Sequence, residues 1–246
     1  MTSAANTKPW PELRGVIFDL DGVIVDSHPS HRKAWHQFCR SLRLDVSDSD
    51  LDFILDGRKR RDILRHFLGD LSDREFENYG QLKDRFFQSM QKDVAPVPGV
   101  LQLLRELAGR GIALAIATSA SRSRTFTTLR QLGVENLFSV IVTGEDVFSG
   151  KPDPSSYQLA RDRLSQTADS LIAVEDAIAG VQAATGAGLR CLAVAGHQSP
   201  EGLLAAGAVA AVWDFTDISS EDLVRICRNA ATFQRVVDRE IASSQG

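Results

Sequence analysis

Residues 16–27 read Val16-Ile17-Phe18-Asp19-Leu20-Asp21-Gly22-Val23-Ile24-Val25-Asp26-Ser27, an apolar run that ends in two aspartates two positions apart and then meets a glycine. The three apolar residues ahead of the acids, Val16 to Phe18, predict a fully buried strand. Side chains alternate along a strand, so Asp19 and Asp21 share one side while Leu20 takes the other. Two carboxylates in one small volume repel each other, and a cation, a shared proton or a hydrogen-bond network must relieve them. A hard divalent ion such as Mg2+, which prefers oxygen ligands, meets that need. An exposed Asp-Gly turn after a strand is the plain alternative.

Downstream of Pro98 the pattern alternates regularly. It predicts helix 98–110, strand 112–117, helix 123–132, strand 139–142, helix 154–164, strand 171–174, helix 177–185, strand 189–195, helix 200–206 and strand 210–215. Strands alternating with helices of this length mean an α/β fold, a Rossmann-like parallel sheet covered on both faces. Its first strand is 16–18, yet the next helix begins only at Pro98, far beyond what one crossover needs. Residues 28–95 fill the gap with helical pattern: Trp35, Phe38, Cys39 and Leu42 recur at i, i+3, i+4, i+7, and Ile63, Leu64, Phe67 and Leu68 form a similar stripe. The expected organisation is a core of 12–27 and 96–216, an inserted α-helical cap of 28–95, and a C-terminal helical extension of 217–246.

Composition narrows the function classes. A net charge of −4 and a single short basic run, Arg58-Lys59-Arg60-Arg61, argue against a nucleic-acid partner, which needs a concentrated basic surface. Cys39, Cys191 and Cys227 stand far apart without CxxC spacing, so neither a zinc site nor a disulfide framework is expected. Free thiols suit a reducing cytoplasm. No apolar stretch reaches the ~20 residues of a membrane span, and residues 1–11 lack the hydrophobic core of a signal peptide, so a cytoplasmic monomer with no membrane partner is expected.

Open parallel sheets place their chemistry at the carboxyl ends of strands. Strand 112–117 ends in Thr118-Ser119-Ala120, whose hydroxyls and N–H groups ahead of a helix suit a phosphate. A hydroxyl there is equally an N-cap. After strand 139–142, Gly150-Lys151-Pro152-Asp153-Pro154 sets one lysine in a stiffened loop, where its ammonium can be positioned against an anion. Strand 171–174 ends in Glu175-Asp176, a second acidic pair that faces Asp19 across the sheet top, although acids also favour helix starts.

Asp-x-Asp, Thr, Lys and Glu-Asp at four successive strand ends resemble the haloacid dehalogenase superfamily of aspartate-nucleophile phosphatases and phosphomutases, in the subgroup with a helical cap after the first motif. The resemblance covers residues 15–215. It implies Asp19 as nucleophile, Asp21 as general acid/base, Thr118 as a phosphoryl-binding hydroxyl and Lys151 as neutraliser of phosphoryl oxygens. It also implies a Mg2+ site built from Asp19, Asp21 through its backbone carbonyl, Glu175 and Asp176. His31 and Trp35, together with Gly57 and Arg60, resemble the cap elements of the β-phosphoglucomutase-like subgroup that meet a sugar phosphate, and Ser119 and Ala120 would line the same pocket. Trp35 also fits the core stripe and Arg60 a solvated face. Asp56 before Gly57 and Arg122-Ser123 after the second motif depart from the mutase pattern. The function implied is Mg2+-dependent hydrolysis of small phosphorylated metabolites such as sugar phosphates, with phosphomutase activity as the alternative.

Rival readings fit less well. A dehalogenase needs no metal and lacks the acid that Asp21 supplies. A phosphoacceptor signalling domain carries its aspartate after the third strand and has no insertion. Gly144 to Lys151 has one residue too many for a phosphate loop, and Gly186-Ala187-Gly188 lacks the third glycine of a dinucleotide fingerprint.

Overall fold

The computed structural model describes residues 12–54, 58–90 and 94–228. Strand β1 (Gly15–Phe18) is buried along its whole length. β2 (Val25–Asp26) leads into α1 (His28–Ser41), α2 (Asp48–Ile54), α3 (Arg60–Leu68) and α4 (Asp73–Gln88), and β3 (Ala95–Pro96) leads back. Alternation then sets in with α5 (Val100–Gly109), β4 (Ala113–Ala117), α6 (Arg122–Gln131), β5 (Phe138–Val142), α7 (Ser155–Leu164), β6 (Leu171–Glu175) and α8 (Ile178–Gly186). β7 (Arg190–Val194), α9 (Pro200–Ala205), β8 (Ala210–Val212) and α10 (Ser220–Arg228) complete the described chain.

Six strands form one parallel sheet in the order β5-β4-β1-β6-β7-β8, with Ile17 opposite Ala115 on one side and Ala173 on the other. The α/β fold expected from the alternation is therefore the fold observed. Period-two alternation sorts β1 between two cores. Val16 and Phe18 join Leu103 and Leu107 of α5, Leu129 of α6 and Leu223 of α10. Ile17 joins Tyr157 of α7 and Val181 of α8 on the opposite face. From β1 the chain runs outward through β4 to β5 and then returns to the other side of β1 for β6, β7 and β8, so the crevice above the carboxyl end of β1 is the topological switch point.

Helices α1 to α4 bury a third cluster of their own, made of Trp35, Phe38, Cys39, Leu51, Ile54, Ile63 and Leu64. α4 opens on a capping box in which the Ser72 side chain and the Glu75 side chain satisfy each other's backbone N–H groups. No helix among the described residues is long and apolar enough to cross a membrane.

Three features depart from the sequence pattern. The helix expected from Pro98 starts at Val100 and the strand expected to reach Phe215 stops at Val212, for one reason: the Phe215 N–H donates to the Pro98 carbonyl at 3.0 Å, tying the two ends together. The two linkers to the helical unit pair as an antiparallel ribbon, Val25 with Pro96 and Asp26 with Ala95, too short to register as periodicity. α10 buries Leu223, Ile226 and Cys227 in the same core as β1, and residues 229–246 lie outside the described residues.

Candidate active site

β1 delivers Asp19 to the switch point, where its backbone N–H donates to the Val174 carbonyl at 2.9 Å and fixes it over the sheet. Asp19 is buried. Lys151, also buried, stands 2.9 Å from Asp19 Oδ1 and donates to Glu175 Oε1 at 2.5 Å. The Tyr157 hydroxyl adds a hydrogen bond to the same Glu175 oxygen at 2.7 Å, and Glu175 Oε2 accepts from the Asp176 N–H at 3.0 Å. Loss of solvation on burial would strip the Lys151 proton, but Asp19 and Glu175 outweigh it and hold the ammonium above its ordinary range. For Asp19 burial wins over Lys151, and its pKa rises to about 6.

Asp19, Glu175 and Asp176 bring carboxylate oxygens within 4.8 Å of one another, all three buried. One lysine cannot neutralise three acids, and a donor set of oxygens alone fits a hard divalent cation better than a soft one. Burial also raises the Asp176 pKa, against the pull of His28, whose Nε2 lies 2.5 Å from Asp176 Oδ2. Gly22 makes this packing possible. Its φ of +72° suits glycine, and a β-carbon there would collide with the Asp176 carboxylate and the His28 ring.

Asp21 borders the same cavity as Asp19 but has a different set of partners. Arg124 grips it with both terminal nitrogens, Nη1 to Oδ1 at 2.7 Å and Nη2 to Oδ2 at 2.5 Å, while the Ser27 hydroxyl donates to Oδ1 at 2.5 Å. His31 Nε2 is 3.5 Å from the same oxygen. Burial pushes the Asp21 pKa up, but Arg124 and then His31 more than offset it and hold the carboxyl well below its usual range.

Above these groups a cavity of ≈90 Å³ is lined from below by Asp19, Asp21, Thr118, Ser119, Ala120, Arg124 and Asp176, and from the helical unit by His31, Trp35, Arg58, Arg60 and Lys83. Thr118 is buried and its Oγ1 accepts from the Ala120 N–H at 3.1 Å. Trp35 packs in the helical core and also borders the cavity. Arg60 is tied to Asp84 at 2.8 Å while still reaching the cavity wall. Among the described residues, the expected site residues are thus brought together, with Lys151 between Asp19 and Glu175. Gly57 and Asp56 lie outside the described residues. Arg122 is not in the cavity lining. It pairs with Asp146 at 2.9 Å.

Lys83, Arg124 and His28 were not foreseen. Lys83 Nζ sits 3.0 Å from His31 Nδ1 and over the rings of Phe87 and Trp35. Burial, then Arg124 and Arg60, lowers its pKa to about 7, and burial together with Lys83 lowers that of His31 to about 3. Arg124 and Lys83 sit in charge-rich helices that read as solvated faces. The adjacency of His28 to the first motif was a signal, but nothing local points it at Asp176.

A family model described as haloacid dehalogenase-like hydrolase matches residues 16–194. A phosphorylated carbohydrates phosphatase of Thermotoga maritima is 33% identical over 207 residues, covering 81% of this chain and 94% of its own. The β-phosphoglucomutase of Bacillus subtilis is 29% identical over 191 residues, covering 74% of this chain and 83% of its own. A solved structure, a HAD hydrolase of family IA from Entamoeba histolytica, matches with a TM-score of 0.78 at 26% identity, covering 88% of this chain and 100% of that one.

Proposed function

The chain belongs to the haloacid dehalogenase-like hydrolases, and from that premise we propose that it is a Mg2+-dependent phosphatase of small phosphorylated metabolites, sugar phosphates foremost. One observation supports this above the rest: Asp19, at the end of the central strand, meets Lys151 at 2.9 Å beneath a cavity whose walls also hold Asp21 and Thr118. The carbohydrate phosphatase among the relatives supports the substrate class.

In this reading Asp21, once Arg124 has let go of it, first takes up a proton from solvent; Asp19 attacks phosphorus, the bond to the leaving oxygen breaks, and Asp21 gives that oxygen the proton. An aspartyl phosphate remains on Asp19. Asp21, now a carboxylate, takes a proton from a water molecule as the water attacks phosphorus, which frees Asp19 and inorganic phosphate. Both Asp21 oxygens are engaged by Arg124 and Ser27 in this structure. Arg124 must therefore release one of them when substrate arrives. Lys151 and the Thr118 hydroxyl meet the phosphoryl oxygens and offset the charge that gathers as an anion approaches a dianion. Asp19, Glu175, Asp176 and the backbone carbonyl of Asp21 would hold Mg2+, which when bound supplies further positive charge to the phosphoryl group. Residues 28–95 act as a cap that excludes bulk water and selects the substrate. Three buried free thiols favour a reducing cytoplasm.

A second reading, phosphomutase, is favoured by His31 and Arg60 on the cavity wall. The test is phosphate release from a panel of sugar phosphates with Mg2+ and with chelator. Asp19→Asn fills the same space but cannot attack phosphorus, so its turnover should fall by about three orders of magnitude or more, with an unchanged circular-dichroism spectrum. Substantial activity in that variant would refute the assignment of the nucleophile.

A further inference from the structure

His28 is the first residue of α1, and it is buried. Its Nε2 lies 2.5 Å from Asp176 Oδ2. Its other ring nitrogen, Nδ1, is buried without a hydrogen-bond partner. With no acceptor at Nδ1, the proton that matters is on Nε2, and it points at Asp176. His197, from the loop after β7, packs against the imidazole with ring centroids 4.0 Å apart and planes tilted by 53°, and itself lies 3.9 Å from Asp26. The ring is thus wedged between a second histidine and a carboxylate, with a short bond to only one oxygen of Asp176.

We propose that His28 is a positioning residue for the divalent cation. It donates Nε2–H to Asp176 Oδ2, fixes the rotation of that carboxylate, and leaves Oδ1 for the cation without binding the metal itself. The inference rests on the reading of Asp19, Glu175 and Asp176 as the cation site. Ligands held by an outer hydrogen bond are better oriented and more basic, and loss of such a partner weakens metal affinity about 10–100-fold. The contact crosses 148 positions of sequence, from the foot of the helical unit to the end of β6. It therefore ties the start of α1 to the cation site.

Mn2+ serves as the probe, because its free aquo ion gives an electron paramagnetic resonance signal that vanishes on binding. Titrations compare the wild-type protein with His28→Leu, which keeps bulk and removes the donor, and His28→Gln, which keeps a donor. His28→Leu should bind Mn2+ about 10–100-fold more weakly, with His28→Gln restoring most of the loss. Spin-echo modulation of the wild-type Mn2+ complex, which needs no variant to fold, should show no directly coordinated nitrogen. A coordinated imidazole nitrogen, or equal affinities in wild type and His28→Leu, would overturn the inference while leaving the cation site in place. Failure of the wild-type protein to bind Mn2+ at all would instead remove the cation site on which it rests.

Discussion

Three acids and one lysine share the end of the central strand, and the balance among them sets the state of each. Asp19 is the member whose charge is least secure, because burial removes the water that would solvate it and Lys151 must divide itself between Asp19 and Glu175. A divalent cation beside Asp19 would favour its charged form, the form required of it as the proposed nucleophile. Lys83 shows the reverse effect in the helical unit. Burial and the neighbouring Arg124 and Arg60 outweigh Asp84 and Asp21, and its pKa falls from 10.5 to about 7. The folded-state value is depressed, so between pH 7 and 10.5 the unfolded chain holds a proton that the native protein lacks, and native stability rises with pH across that window. Below about pH 7 both states hold the proton and the contribution is flat. Lys83→Met removes the titration. Urea unfolding at pH 7 and pH 9.5 should therefore show wild type gaining on the order of 3 kcal/mol relative to the variant. Parallel changes in the two proteins would mean that Lys83 keeps its charge beside His31.

At the scale of elements, the two-residue ribbon of β2 and β3 is the joint between sheet and helical unit, and a second contact spans them. Lys59, at the N-cap of α3, donates from Nζ to the Val147 carbonyl at 2.5 Å and the Phe148 carbonyl at 2.9 Å. Its stem lies against Gly150, where a β-carbon would clash, and Gly150 precedes Lys151. The contact links the helical unit to the loop that presents Lys151, the lysine proposed to meet the phosphoryl oxygens. Removing it in Lys59→Met should cost about 1 kcal/mol of closure, seen as a KM about fivefold higher and faster limited proteolysis at the joint. An unchanged KM and an unchanged digestion rate would show that Lys59 does not hold the two units together. The parallel sheet and the insertion were legible in the sequence because alternating apolar runs and helical stripes are local patterns, as in 171–174 and at Trp35, Phe38 and Cys39. The ribbon and the Lys59 contact were not, since two-residue strands have no period and a lysine in a basic run gives no sign of its acceptor.

On the scale of the whole molecule, the same separation holds for the site: Asp19, Thr118, Lys151 and Asp176 could be read from strand ends, whereas Arg124, Lys83 and His28 owe their places to contacts that bridge distant segments. Residues on the cavity wall bear on the choice between the proposed hydrolysis and mutase chemistry. A mutase must keep water from the aspartyl phosphate until a second sugar hydroxyl arrives, and it must hold the sugar in two poses. His31 and Arg60 on the cavity wall support one such pose. The second is poorly supported, because Arg122, which departs from the mutase pattern, pairs with Asp146 outside the cavity lining. Hydrolysis should therefore win. The measurement supplies β-glucose 1-phosphate with a trace of the 1,6-bisphosphate and Mg2+ and follows glucose 6-phosphate and inorganic phosphate together. Phosphate should accumulate with little glucose 6-phosphate. Stoichiometric glucose 6-phosphate with little free phosphate would reverse the assignment in favour of the mutase. Neither product, with phosphate still released from other sugar phosphates, would leave the aspartyl-phosphate chemistry standing and exclude glucose phosphates as the substrate.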